Sequence, residues 1–169
     1  MVSVDSKRVL RHLLGGPWQV HRVFGRDGLR RIEQAIAGSE RLHAGELRFV
    51  VEAVLPWQLA LRGVSARARA VQLFSELRVW DTEHNSGVLV YLLLADRDVE
   101  IVADRGIDHA AGRVAWEPIC REMEANFRAG RYDSGAMQAI ARIGALLQQH
   151  FPVEHRTRPN ELPDTPVVI

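Results

Sequence analysis

What the chain lacks sets its first bounds. A single cysteine, Cys120, excludes an internal disulfide framework and any zinc cluster built on several thiolates, and it fits a reducing compartment. The longest apolar run, Val88 to Ala95, falls far short of the roughly 20 residues that span a bilayer. The opening stretch MVSVDSKRVLRHLLGGPWQV is interrupted by Arg11 and His12, so no secretory core is expected and a cytoplasmic location is. An excess of charge is missing too. With 22 basic and 21 acidic residues the net charge is +1, so no nucleic-acid partner is implied. Absent as well are a Gly-x-x-x-x-Gly-Lys phosphate loop, His-Glu-x-x-His, Gly-x-Ser-x-Gly and an EF-hand loop. What remains is 169 residues, 47% of them hydrophobic, enough to bury a sizeable core in one domain.

Periodicity divides that domain into elements. Residues 5–14 place Val9, Leu10, Leu13 and Leu14 on one helical face, and Gly15, Gly16 and Pro17 stop the helix. That face either docks on the domain or meets a membrane surface or a partner. Asp27 is the expected N-cap of a second helix carrying Leu29, Ile32, Ile36 and Leu42. From Gly45 to Val54 the period changes to two, with apolar residues on both faces, which suits a covered strand. Ser65 is set to cap a helix whose Ala68, Val71, Phe74 and Leu77 recur at helical spacing. Val88–Ala95 and Val99–Ala103 form a hairpin around Asp96-Arg97-Asp98, a tip expected to be solvated. Two further helices follow, one near 115–129 with Ile119, Met123 and Phe127 inward, one capped by Asp133 or Ser134. The expected organisation is a basic amphipathic helix and linker (1–26), an α/β domain (27–152) and an extended proline-containing tail (153–169).

The order predicts a three-layer α/β/α sandwich with a small mixed sheet, a parallel βαβ unit followed by an antiparallel hairpin. In that topology the starts of the first and second strands and the end of the third share one edge. Glu46, the loop Asp81–Gly87 and the loop Asp104–His109 should therefore lie together. Their oxygen ligands suit Ca²⁺ or Mg²⁺. Turn chemistry explains the same residues without a ligand, since Asn-Ser-Gly and a capping Asp are ordinary turn formers. Asp96 and Asp98 belong to the opposite edge, and the immediate hairpin leaves no room for an Asp-x-Asp phosphatase nucleophile. Cys120 lies beside Ile119 and Met123 on a helix and reads as a small core thiol.

The stretches GELRFVVE, NSGVLVYLLLADRDVEIVADRGI, FRAGRYDSG and NELPD resemble the TPM domain family over about residues 27–165. The resemblance implies a sheet sandwiched by helices, an acidic patch that binds calcium in some members, and an acid phosphatase activity disputed in the thylakoid-lumen branch. The patch is carried over onto Glu46, Asp81, Asn85 and Asp104. Where many members read Asp-Asn-Gly, this chain has His84-Asn85-Ser86-Gly87. Three functions follow as expectations. The first is a non-catalytic module binding a divalent cation or a protein in envelope or membrane-protein maintenance. A weak metal-dependent acid phosphatase and a metal-free scaffold are the others.

Overall fold

The computed structural model describes residues 6–153 and 160–169; the first five residues of the expected N-terminal segment and 154–159 of the expected tail lie outside the described residues. In chain order the elements are α1 (Ser6–Leu14), α2 (Trp18–Glu40), β1 (Glu46–Glu52), α3 (Trp57–Leu61), α4 (Ala66–Glu76), β2 (Gly87–Leu93) and β3 (Asp98–Ala103). Then come α5 (Arg105–Ala111), a 3-10 turn (Arg113–Ala115), α6 (Trp116–Arg128), α7 (Tyr132–His150) and β4 (Val167–Val168). The sheet order is β3-β2-β1-β4. β1 runs parallel to β2 and to β4, and β2 runs antiparallel to β3. The expected sandwich is present, with helices on both faces and one strand more.

Alternation along the strands builds two cores. Phe49, Val51, Val88, Val90, Leu92 and Ile101 face the helices α2, α6 and α7, whose Ile36, Phe127 and Ile143 are fully or almost fully buried. Val50, Leu89, Tyr91 and Leu93 face the other way, toward Ala66, Ala70 and Leu73 of α4. Continuous apolar sequence in β1 and β2 is thus the signature of strands covered twice. Gly87 opens β2 where a Cβ would run into the backbone carbonyl of Val79, so no larger residue fits that start.

Several elements differ from the sequence reading: α3 is an additional helix between β1 and α4, and α7 starts at Tyr132 behind Arg131 and not at a cap of Asp133 or Ser134. The second helix begins at Trp18, not at Asp27, and is broken at Gly25, whose φ of +62° only glycine adopts without strain. Ser65 caps α4 as expected, accepting from the amide of Ala68, yet the helix buries Ala66, Arg69, Ala70 and Leu73 and leaves Val71 exposed. The loop after Asp104 is a helix, α5, with Asp104 as its N-cap. The hairpin tip is not simply solvated, because Asp96 is mostly buried and pairs with Arg8 at 2.8 Å and Arg11 at 3.3 Å. α6 keeps its expected stripe and its Glu124–Arg128 pair at 2.7 Å.

Candidate functional site

The shared edge exists, and the register defines it. Glu46 pairs with Gly87 across the parallel ladder, and Val88 pairs with Ala103 across the antiparallel one. The amide of Asp104 donates to Gly87 O at 2.8 Å, and the amide of Glu46 donates to Ser86 O at 3.3 Å. Asn85 adopts φ +51°, a left-handed conformation that asparagine tolerates, and its carbonyl accepts from Gly106 at 3.0 Å and Ile107 at 3.3 Å. A Cβ on Gly106 would stand 2.6 Å from the carbonyl oxygens of His84 and Asn85, so this close seating of α5 against the loop requires glycine. Topology thus brings Glu46, Asn85 and Asp104 to one place.

Their side chains are already engaged. Glu46 is buried, and its two carboxylate oxygens accept the backbone N–H groups of Glu161 at 3.3 Å and Leu162 at 3.1 Å. The carboxyl-terminal residues therefore return across the sheet edge, where Leu162 is buried and β4 pairs with β1. Asp104 Oδ1 accepts the amide of Arg105 at 2.7 Å, while its Oδ2 is buried without a hydrogen-bond partner among the described residues. Asp81 is exposed at the far end of its loop. Glu83 holds the tail differently, its amide donating to the Glu161 carboxylate at 2.9 Å. His84 stacks on Phe151, and Asp108 turns away to accept from the Trp116 indole at 3.0 Å. Among the described residues no group of three or more His, Cys, Asp and Glu side chains is placed to hold a metal ion.

Glu40, which the pattern did not single out, belongs to this cluster. Burial first, and the neighbouring Glu46 second, push its carboxyl up to about 9, although the Leu47 amide donates to it at 2.8 Å. The folded protein thus keeps a proton that the unfolded chain releases at its ordinary value of 4.5. Stability is full below that pH and declines as pH rises toward about 9. Glu40→Gln keeps the acceptor and removes the titration. Urea melts should show the variant equal to the parent near pH 4 and increasingly the more stable one from pH 5 to pH 9. A constant offset across that range would reject the assignment.

The opposite end of the sheet, beyond the carboxyl ends of β1 and β2, holds a second polar group. Glu52 is fully buried and accepts the Tyr91 hydroxyl at 2.7 Å, Arg69 Nε at 3.0 Å and Arg69 Nη2 at 3.0 Å. A charged residue in a strand covered on both faces must be paired, and that signal could have located this triad in advance. His12 of α1 is buried nearby, its Nδ1 accepting the Leu55 amide at 2.9 Å and its Nε2 lying 3.3 Å from Asp96. Burial holds its pKa below the ordinary imidazole range, against the pull of Asp96. Cys120 lines a groove of about 630 Å³ along the outer edge of β3 with Arg67 and Trp116. Burial, aided by Glu100, pushes its thiol up to about 12, which keeps it protonated and unreactive at neutral pH.

Comparison with known proteins places this arrangement. A family model described as TPM domain matches residues 21–146. The solution structure of the BA42 protein from the psychrophilic bacterium Bizionia argentinensis is similar to this chain with a TM-score of 0.72 at 25% identity, covering 83% of this chain and 92% of that one. The N-terminal domain of a protein from P. gingivalis shares the fold, with a TM-score of 0.63 at 16% identity over 81% of this chain and 83% of that one. No curated protein matches the chain.

Proposed function

The chain belongs to the TPM domain family, and on that premise we propose that it is a non-catalytic binding module in which the acidic sheet edge holds a protein segment and not a reacting phosphate. One observation carries this reading: both oxygens of Glu46 accept backbone amides of the returning tail. A carboxylate that accepts one chain amide on each oxygen is already employed in holding the tail. Asp104 works similarly, as the cap that starts α5. The setting implied by the family resemblance, upkeep of membrane proteins, is proposed with it.

A second reading, a divalent cation bound at the same edge, is favoured by the buried Oδ2 of Asp104, which has no hydrogen-bond partner among the described residues. Calcium, with magnesium the alternative, would be held there by Asp104 with Asn85 from the adjoining loop. Glu46 joins only by releasing the tail, and Asp81 stands exposed and apart. Such an ion supplies charge neutralisation for the orphaned oxygen.

Turnover tests the non-catalytic reading. With p-nitrophenyl phosphate and about 1 mM calcium or magnesium, phosphate release should equal that of a protein-free control. Cation-dependent release that falls roughly tenfold or more in Asp104→Asn would establish the phosphatase instead.

A further inference from the structure

We infer that α1, α3 and the start of α2 form a docking face for an anionic lipid surface, on a different part of the molecule from the acidic edge and independent of it. The first observation is that α1 sits on the domain the wrong way round. The side that carries Arg8 and His12 is turned inward: His12 accepts the Leu55 amide, and Arg8 reaches Asp96 at 2.8 Å and Val64 O at 2.7 Å. Its apolar face is turned out, with Leu10 55%, Leu13 58% and Leu14 73% exposed. These positions are spaced i, i+3, i+4 and form one stripe.

Continuity is the second observation. α3 packs against α1 and exposes Trp57 and Leu61, one helical turn apart. Trp18 follows Leu14 by four residues and is 55% exposed. Two of the four tryptophans of the chain therefore stand in water on this one face. Tryptophan favours the boundary between water and hydrocarbon because its ring is apolar and its N–H is polar.

Charge completes the match. Segments 6–26 and 53–64 contain no Asp or Glu, yet they carry Lys7, Arg8, Arg11, Arg22, Arg26 and Arg62 in a protein of net charge +1. Arg97 of the hairpin tip lines one cavity with Leu14 and another with Trp18 and Arg22, so the cations border the apolar residues directly. The acid at the hairpin tip, Asp96, is paired with Arg8 and Arg11 and lies 3.3 Å from His12. An apolar stripe with tryptophans and a basic rim is the composition of a helix lying in a membrane interface. A second copy of the chain fits worse, since an isologous contact would set like-charged rims against each other.

Flotation of the full chain decides it, with vesicles of phosphatidylcholine alone and with about 30 mol% phosphatidylglycerol. The parent protein should rise with the anionic vesicles and stay behind with the neutral ones, and its tryptophan emission should shift to the blue on binding. Leu10→Ser/Leu13→Ser/Leu14→Ser should weaken partitioning by about tenfold or more with the rim intact. Arg22→Glu/Arg62→Glu/Arg97→Glu should weaken it comparably with the leucines intact. Both variants alter exposed side chains and should melt like the parent. Absence of the parent from both vesicle fractions, or equal flotation of either variant, overturns the inference. So does a parent dimer that the leucine variant converts to monomer without any lipid binding, which would assign the face to a second copy.

Discussion

Arg69→Leu is expected to remove about 3–5 kcal/mol of folding stability, the largest loss of any change considered for this chain. The cause is what it leaves behind. Glu52 is fully buried, and its partners are the Arg69 fork and the Tyr91 hydroxyl. Without the guanidinium a carboxylate remains inside the sandwich with one neutral donor, and the low-dielectric surroundings make that costly. The same surroundings, with burial foremost and the Glu52 charge next, push the Tyr91 hydroxyl far above its ordinary range, so it stays a donor at every working pH. Tyr91→Phe removes one hydrogen bond and should cost about 1–3 kcal/mol. The double variant Glu52→Leu/Arg69→Leu removes both charges and should recover at least about 2 kcal/mol of the single variant's loss. Chemical denaturation of the four proteins measures all of this. Equal losses in single and double variants would mean that the pair acts only through packing.

Glu46→Ala is expected to cost about 2 kcal/mol through the tail. Two amides lose a charged acceptor, and the segment that carries buried Leu162 and the two-residue strand β4 is loosened. Arg48 still binds the tail carbonyls of Pro163 and Thr165, so detachment is not complete. Urea denaturation near pH 7 should show the drop. A variant within about 0.5 kcal/mol of the parent would mean the tail contributes nothing through this carboxylate.

The sheet was legible because its signals are local. Two-sided apolar strands, a helical crossover and a three-residue hairpin tip allow few topologies, and that topology correctly put Glu46, Asn85 and Asp104 on one edge. Features set by distant partners were not legible. Periodicity turned Val71 inward, but the pairing of Arg69 with Glu52 rotates α4 the other way. The leucine face of α1 leaves docking and an outward orientation both open, and what decides between them is Asp96, 88 residues beyond Arg8, which holds the side of the helix that carries Arg8. α5 is only seven residues long and contains Gly106, so nothing in its composition separates it from a loop. At the site itself, the acidic chemistry is legible in the sequence, but the contact of Glu46 with the returning tail is not. The amide that occupies Glu46 comes from a segment 115 residues away, with three prolines among residues 152–163 to suggest an extension and not a fourth strand.

Amide hydrogen exchange at Glu161 and Leu162 tests most directly whether the acidic edge holds the protein's own chain. The account predicts that both amides are protected in the parent protein without added cation, exchange roughly tenfold or more faster in Glu46→Ala, and are unchanged by millimolar calcium. Unprotected amides in the parent, or amides that calcium releases as Glu46 turns to the ion, would contradict it and make the edge a cation site first.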